Sequence, residues 1–89
     1  MNAKFHLGEL FITPNALDTL NRADVGTALG RHARGDWGEC GDEDWQKNNY
    51  SRMHGLRVLS VYRDRDGMKF WIITEADRSV TTILLPDDY

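Results

Sequence analysis

The segment from Arg31 to Gly38 holds the residue types that proton-transfer chemistry uses. His32 lies on a predicted helix, and a glycine-flanked turn after it carries Asp36. Because an imidazole titrates near neutral pH, His32 is a candidate general acid or base, and Asp36 can fold back to reach His32 or Arg31. The alternative is that His32 satisfies helix carbonyls while Trp37 fills the core. We favour that alternative, because no further catalytic group converges on this segment in the sequence.

A second polar group lies on the predicted C-terminal strands. Ser60, Thr74 and Thr81 carry hydroxyls there, and Arg78 sits in the turn between the last two strands. Such donors can hold a phosphate, and with His32 as the general acid or base they would suit a ribonuclease. The alternative is that threonine is simply a good strand residue with a solvated face. That explanation fits Thr81 better than Arg78, since a turn does not require a guanidinium.

The negative charge of the chain is concentrated in its centre. The net charge is −3, from 11 basic and 14 acidic side chains. Residues 36–50 account for the excess, because they carry one lysine and five acids. The acids are Asp36, Glu39, Asp42, Glu43 and Asp44. They belong either to a solvated loop and first helical turn or, together with Trp37 and Trp45, to a surface that docks on a basic partner.

Metal-ligating residues are present, but not in a recognised arrangement. His32, Asp36 and Cys40 are the candidates, with His6 or His54 as a further ligand. Their spacing matches no zinc motif with paired ligands. The sequence also lacks phosphate-binding glycine loops, dinucleotide fingerprints and the nucleophile motifs of hydrolases. We therefore predict neither a metal nor an organic cofactor.

These residues would be positioned by a single α+β domain of residues 1–89. A chain of this length supports one domain with a thin core. Hydrophobic periodicity and turn signals predict a short N-terminal strand, two to three helices and three C-terminal strands. The predicted bounds are strand 4–12, helices 14–22, 24–34 and 42–54, and strands 56–63, 68–75 and 80–85. We expect the last three strands to form an antiparallel meander packed on the helices.

Local signals set several of these boundaries. Thr13, which precedes a proline, is expected to cap the first helix, and Asp24 is expected to cap the second. Gly35 and Gly55 are expected to end the second and third helices. The segment Asp64–Gly67 ends in an Asp-Gly pair, which suits a turn with positive φ. It therefore predicts a β-hairpin.

The expected compartment follows from the cysteine count and from the N-terminal residues. Cys40 is the only cysteine, so no disulfide can form within the chain. No run approaches the ~20 apolar residues of a membrane span. Met1 to Lys4 lead directly into the first predicted strand and have no signal-peptide pattern. We expect a cytoplasmic protein that does not associate with a membrane.

Two longer motifs carry a resemblance to a known group of proteins. The first is RHxxGDWG, from Arg31 to Gly38, and the second is WIITEADRSxTTxLLPxxY, from Trp71 to Tyr89. Together they resemble a family of small uncharacterised proteins carried on bacterial plasmids and integrated mobile elements, and the resemblance covers most of the chain. It implies a genomic setting in which small accessory proteins often blunt host defences or act as toxins. It implies no catalytic or binding residue.

Two functional interpretations stay open at this point. The first is a non-catalytic accessory protein that blocks a host nucleic-acid-processing defence complex, such as a CRISPR or restriction effector, through its acidic and aromatic surface. The residues expected on that surface are Arg31, His32, Asp36, Trp37, Glu39, Asp42, Glu43, Asp44 and Trp45. The second is a small ribonuclease of the barnase or RelE-like kind, which the order of elements alone resembles. Its site would comprise His32, Arg78, Ser60, Thr74 and Thr81.

The distribution of charge and the predicted sheet favour particular partners. The acidic balance favours the non-catalytic interpretation and argues against direct nucleic-acid binding, since RNA would have to approach a net-negative protein. A sheet edge left exposed would be able to pair with a second copy of the chain. Apolar residues on both faces of the meander also indicate a surface for a dimer or another protein. A host protein and a homodimer are therefore the candidate assemblies.

Overall fold

The sheet contains four strands in the order β1-β4-β3-β2, in a computed structural model that describes residues 3–89. The elements are β1 (Glu9–Ile12), α1 (Pro14–Thr19), α2 (Arg22–Ala33), α3 (Asp42–His54), β2 (Val58–Arg63), β3 (Lys69–Thr74) and β4 (Val80–Leu84), followed by a 3₁₀ turn over Pro86–Asp88. The α+β prediction is confirmed. Met1 and Asn2, on which part of the signal-peptide argument rests, lie outside the described residues.

The sheet is mixed, which corrects the expectation of a three-stranded antiparallel meander. Strands β2, β3 and β4 pair antiparallel as predicted, with Ser60 opposite Ile72. Strand β1 adds to β4 in parallel, with Leu10 beside Thr81. The three helices between β1 and β2 form a long connection, so β1 is not joined to the rest of the sheet by a hairpin, which would make it antiparallel to its neighbour. A parallel neighbour for the first strand is therefore sterically accessible.

One face of the sheet forms the core with α1 and α2. Side chains alternate along a strand, so every second residue of β2, β3 and β4 points to this face. The cluster of buried apolar residues comprises Ala16, Leu20, Ala28, Tyr62, Phe70, Ile72 and Ile83. Val25 and Leu29 of α2 pack against it from the helical side. The same inward face also holds the polar residues Ser60, Thr74 and Thr81, all of which are buried.

Most of the predicted boundaries are confirmed, but α1 ends at Thr19 rather than at residue 22, and two further boundaries are wrong. The Thr13 side chain accepts a hydrogen bond from the amide of Ala16, so Thr13 caps α1. The cap of α2 is Asn21 rather than Asp24, because the helix begins one turn earlier than its apolar spacing indicated. The first strand begins at Glu9 rather than at residue 4, because Gly8 takes a φ of 67°. This positive φ turns the chain out of the extended conformation.

The glycine signals at the other turns are correct. Gly35 follows α2 with a φ of 80°, and Gly55 caps α3 with a φ of 66°. Gly67 has a φ of 81° in the hairpin that joins β2 to β3. All three values lie in the left-handed region, which glycine adopts without steric cost. These residues therefore fix where the helices end and where the sheet turns.

The β2 edge of the sheet is covered by side-chain and loop hydrogen bonds. The amide of Asn48 on α3 donates to the carbonyl of Leu59 at 2.8 Å and accepts from its N–H at 3.0 Å. The neighbouring loop pairs with Val61, whose N–H donates to the carbonyl of Trp37 and whose carbonyl accepts from Glu39. These contacts leave the outward polar groups of Leu59 and Val61 satisfied. They also attach α3 to the edge strand.

Candidate functional site

His32 stands at the centre of a hydrogen-bonded chain in the protein interior. Its Nδ1 lies 2.5 Å from Oγ of Ser60 on β2, and its Nε2 lies 2.8 Å from Oγ1 of Thr74 on β3. The Thr74 hydroxyl lies 2.7 Å from that of Thr81 on β4. Thr81 in turn donates to the carbonyl of Leu7 at 2.7 Å. The fold thus unites one helix, three strands and the N-terminal segment through five consecutive polar groups.

The direction of every hydrogen bond in this chain follows from its last acceptor. The carbonyl of Leu7 can only accept, so the Thr81 hydroxyl donates to it and accepts from Thr74. Thr74 therefore accepts from His32, which places the imidazole proton on Nε2. The unprotonated Nδ1 then accepts from the Ser60 hydroxyl. A neutral imidazole satisfies all members of the chain, and an imidazolium would leave Ser60 without an acceptor.

The hydrogen-bonded chain is closed to solvent. His32 has 0% of its surface exposed, as have Ser60 and Thr74. The Phe5 ring stands edge-on to the imidazole with centroids 5.3 Å apart, and Trp37 lies at 5.7 Å on a second side. Burial lowers the pKa of His32 from its ordinary 6.5 to about 3, and the nearby Arg78 charge contributes to this lowering. The interpretation of His32 as a surface binding residue is therefore wrong.

Arg78 lies beside this interior, but its guanidinium is directed at backbone carbonyls. It donates to the carbonyl of Leu56 at 2.7 Å and to those of Ser51 and Glu75 at 3.1 Å each. Its guanidinium carbon also lies 5.3 Å from the centroid of the Phe5 ring. These contacts tie the end of α3 to the turn between β3 and β4. They explain why a guanidinium is required in a turn, which local sequence preferences do not.

Arg78 also has an unusual backbone conformation. Its φ is 62°, the only positive value at a non-glycine position among residues 3–89. A side chain in this region costs on the order of 1 kcal/mol. The carbonyl contacts of the guanidinium offset that cost. The geometry therefore supports a structural role for Arg78, whose guanidinium is bonded to three backbone carbonyls.

The turn after α2 is organised by an ion pair. Arg31 donates to the two carboxylate oxygens of Asp36 at 2.8 and 3.2 Å, so Asp36 folds back as predicted, and of the two expected partners it binds Arg31 rather than His32. These hydrogen bonds hold the pKa of the Asp36 carboxyl below its usual range. The Asp36 carbonyl accepts from the Tyr62 hydroxyl, and its carboxylate accepts from the Gly38 amide. Asp36 is therefore a structural connector between the turn and β2.

Trp37 belongs to the core, which corrects its placement on a docking surface. Its exposed fraction is 0%, and its ring stacks on Phe5 with centroids 6.0 Å apart. Its indole N–H donates to the side-chain oxygen of Asn49 at 2.9 Å. Glu39 is exposed but paired with Arg63 at 3.0 Å. Of the predicted docking residues, Asp42, Glu43 and Asp44 of α3 are the ones that remain exposed without a comparable ion pair.

The acidic residues of α3 are displayed to solvent at its first turn. Asp42, Glu43 and Asp44 are exposed, and the ion pair they form within residues 3–89 is a loose contact of Glu43 with Lys47 at 3.9 Å. Negative side chains are stabilised there, because they face the positive end of the helix dipole. Trp45 is half-buried. The acidic part of the predicted docking surface therefore lies on one helical turn.

Two exposed apolar residues extend this surface, and the sequence did not predict them. Tyr50 is 58% exposed and Met53 is 69% exposed, both on α3. Tyr50 stacks on His54, with ring centroids 4.1 Å apart. On a helical wheel of α3, Tyr50 and Met53 lie on the side away from Asn48, whose side chain faces β2. This periodicity is the sequence signal that could have indicated their exposure. Large apolar residues are usually buried, so the residue types of Tyr50 and Met53 give no indication of this exposure.

An open cleft of about 360 Å³ lies between α3 and β2. Its lining includes Cys40, Asp44, Lys47 and Arg57 over the apolar side chains of Leu59 and Val61. Burial raises the pKa of the Cys40 thiol, so the thiol is a weak nucleophile at neutral pH. Within residues 3–89, no three His, Cys, Asp or Glu side chains converge as a metal ion would require. The cleft thus presents charged side chains between α3 and β2 rather than a reactive centre.

Comparison with known proteins adds no functional assignment. No protein-family model, curated protein or solved structure matches the chain. The resemblance to proteins of mobile elements therefore stays a prediction from the two motifs. Among residues 3–89, no helix has both the length and the apolar character to cross a bilayer. Function has therefore to be inferred from which side chains are buried and which are exposed.

Proposed function

We propose that this protein is a non-catalytic binding protein that docks on a basic partner through the outward face of α3. The supporting observation is the contrast between two groups of residues. The hydroxyl and imidazole groups that could carry out catalysis are buried and bonded to one another. The acidic and apolar side chains of α3 are exposed. Recognition requires accessible groups, so α3 is the better candidate.

Three exposed residues of α3 fall on one face because of helical periodicity. Glu43, Tyr50 and Met53 are spaced by seven and three residues, which places them in one row. The opposite row contains Trp45, Asn48 and Arg52, which are buried or half-buried. The outward face is acidic at the helix N-terminus and aromatic and apolar toward its C-terminus. A partner suited to it has basic side chains beside an apolar groove.

The class of partner follows from charge and from the mobile-element resemblance. Acidic side chains can occupy a basic groove that normally receives nucleic acid, and opposite charge speeds the encounter. A plasmid-borne accessory protein would benefit from blocking a host nuclease or CRISPR effector. We therefore propose an anti-defence inhibitor of a nucleic-acid-processing complex in the cytoplasm. Its binding would weaken as salt concentration rises, because the contacts are electrostatic.

The experiment measures protection of a targeted plasmid in cells. A host with active restriction or CRISPR interference is transformed with a plasmid that its defence attacks, with and without expression of the protein. Wild-type protein should raise recovery of transformants. Reversal of three charges, Asp42→Lys with Glu43→Lys and Asp44→Lys, should abolish the increase. The purified wild type should also inhibit cleavage of target DNA by the same effector in vitro.

A matched control separates the α3 surface from general charge. The variant Asp18→Lys with Asp66→Lys and Asp87→Lys changes the net charge equally, and its three positions are exposed and outside α3. This control should protect the plasmid as wild type does. Equal protection by the α3 reversal and by wild type would refute docking through α3. Absence of protection against both kinds of defence would refute the anti-defence assignment.

The ribonuclease remains the second candidate, because His32 lies within hydrogen-bond distance of both Ser60 and Thr74. Ribonuclease activity would require the segment that carries Phe5 to move away from the imidazole, so that RNA could reach His32. Total RNA from cells that express the wild type or His32→Gln distinguishes the two candidates. Intact RNA in both supports the binding protein. Fragmented RNA with wild type, absent with a folded His32→Gln variant, would establish the ribonuclease.

A further inference from the structure

Strand β1 presents unpaired backbone groups along the outer edge of the sheet. Glu9 donates to the carbonyl of Ser79, and Thr13 donates to that of Ile83. In a parallel pair the bonding residues of a strand alternate, so Glu9, Phe11 and Thr13 face β4. The N–H and C=O groups of Leu10 and Ile12 therefore point away from the sheet. They have no hydrogen-bond partner within residues 3–89.

The β1 edge is short, with four residues, and carries one charged side chain, Glu9, but it lacks the other features that usually protect an edge strand. Natural edges are blunted by lysine, proline, bulges or a covering loop. The segment Glu9–Ile12 contains neither lysine nor proline, and it pairs with β4 without a bulge. Leu10 is 53% exposed and Phe11 is 52% exposed. At the opposite edge of the same sheet, Asn48 and the loop at Trp37 cover β2.

We infer that β1 pairs antiparallel with β1 of a second copy of this chain, with Phe11 facing its own equivalent across the two-fold axis. The pairing would join the two sheets into one of eight strands. It is independent of the function proposed for α3. A two-fold axis makes the contact self-complementary and closed, so it yields a dimer rather than a fibre.

The register follows from which groups are free. Pairing Leu10 with Ile12 of the second copy lets each pair exchange two hydrogen bonds, which gives four in all. A shift that places Leu10 opposite itself would set Ile12 against Gly8, whose backbone turns toward Ser79. A shift that places Ile12 opposite itself would set Leu10 against Pro14, which has no N–H. The first register is therefore the one that uses every outward group.

Side chains and charges are compatible with a second copy in this register. Phe11 lies beside Thr82 on the sheet face opposite the core, so the two Phe11 rings would meet on that face. Leu10 lies beside Thr81 on the other face, where it would meet Ile12 of the second copy. Glu9 falls opposite Thr13 rather than another glutamate. The apolar side chains now exposed at this edge would be covered by equivalent ones.

The acidic surfaces do not oppose this association. Residue Asn48 attaches α3 to β2, and the strand order places β2 three strands away from β1. Strands are spaced about 4.8 Å apart, so the acidic turns of the two copies would lie at the far ends of the joined sheet. Each copy has a net charge of −3, and this separation reduces their repulsion. Both α3 surfaces would stay accessible in the dimer.

The first test is sedimentation equilibrium of the full chain over protein concentrations from about 1 µM to 1 mM. The mass should rise with concentration from the 10.2 kDa of one chain to twice that value. Leu10→Pro removes an N–H that points away from β4, so it should raise the dimer Kd by about tenfold or more without disturbing the fold. Leu10→Ala keeps that N–H and should weaken the dimer less. Circular dichroism checks that each variant folds.

The second test uses the position of Phe11 on the two-fold axis. Phe11→Lys and Phe11→Glu should each be monomeric alone, because like charges would face each other at close range. An equimolar mixture should recover a dimer of twice the mass. The matched control is Met68→Lys, at an exposed hairpin position outside β1, which should leave the dimer Kd unchanged.

Two results would overturn the inference. A wild-type chain that stays monomeric up to 1 mM would show that a second copy does not occupy this edge, and would leave it to an extended segment of another protein. A wild-type dimer that Phe11→Lys and Phe11→Glu both retain would place the dimer contact elsewhere. The charge reversal of α3 should leave the dimer Kd unchanged, so failure of one proposal is distinguishable from failure of the other.

Discussion

Nε2 of His32 and Oγ1 of Thr74 lie 2.8 Å apart in an interior that is closed to solvent. This contact belongs to the series of hydrogen bonds that ends on the Leu7 carbonyl. Because that carbonyl can only accept, it fixes the donor and the acceptor of every bond in the series. A histidine so placed is a hydrogen-bonding element of the core. It joins α2 to the centre of the sheet, which apolar packing alone would do with less specificity.

We expect the imidazole of His32 to carry its proton on Nε2. The measurement is a long-range ¹⁵N–¹H correlation spectrum at pH 7, in which an unprotonated Nδ1 is distinguished from a protonated one. Ser60→Ala should leave the tautomer unchanged, because Ser60 only donates to Nδ1. A proton found on Nδ1 of His32 in the wild type would contradict the assigned direction of these hydrogen bonds.

Stability should fall as pH is lowered below about 6.5. The folded state holds the pKa of His32 at about 3, against 6.5 for an unperturbed histidine, so the unfolded chain binds this proton first. The contribution of neutral His32 to the free energy of unfolding is complete above pH 6.5. It is lost progressively toward pH 3, at up to about 1.4 kcal/mol per pH unit. Urea unfolding at pH 7.0, 6.0 and 5.0 measures the slope.

The control for this pH dependence is a second histidine. His6→Gln changes an exposed side chain and should keep the slope, whereas His32→Gln should reduce it and lower stability at pH 7. Asp36 and other carboxyls with lowered pKa values lose stability only at more acidic pH, so the range above pH 5 isolates His32. An unchanged slope in His32→Gln would show that another group is responsible.

Arg78→Gly should be less harmful than Arg78→Ala. Both variants lose the hydrogen bonds to the carbonyls of Leu56 and Ser51, but glycine also relieves the strain of a φ of 62°. We expect Arg78→Ala to cost about 2–3 kcal/mol and Arg78→Gly about 1 kcal/mol less. Urea unfolding of both purified variants measures the difference. Equal stability of the two would argue against backbone strain at this turn.

Two glycine-to-alanine substitutions should have opposite effects. A Cβ on Gly38 would overlap the Val61 carbonyl oxygen and lie 2.7 Å from the Tyr62 ring, at a φ of 71°. Gly38→Ala should therefore cost about 3 kcal/mol or more. A Cβ on Gly26 of α2 would meet nothing within 4 Å, so Gly26→Ala should stabilise by about 0.5–1 kcal/mol. Thermal unfolding of the pair is the measurement.

The secondary structure was largely predictable because its signals are local. Thr13, Gly55 and Gly67 mark a cap, a helix end and a hairpin through conformational preferences that act within a few residues. Parallel pairing of β1 with β4 was not predictable in this way. It joins residues about 70 positions apart, such as Leu10 and Thr81, and no local preference encodes such a pair.

The candidate site was predicted by residue type but not by environment. The sequence pattern grouped His32 with Ser60, Thr74 and Thr81, and the structure brings all four together. Polarity could not reveal that they meet on the inward face of the sheet, because exposure depends on where α2 packs. The apolar side chains on α3 were missed for the converse reason, since an exposed tyrosine and a buried one have the same local signature.

The pairing of β1 with β4 has a consequence for how the chain folds during synthesis. Strand β1 is synthesised before the other strands of the sheet, yet its neighbour in the sheet ends at Leu84. The ribosome therefore releases β1 well before β4 exists, and until β4 is synthesised both edges of β1 are free. Helices can form meanwhile, because their contacts are local. The apolar strand β1 is therefore paired with β4 last. Until then, a neighbouring nascent chain can pair with β1 in place of β4.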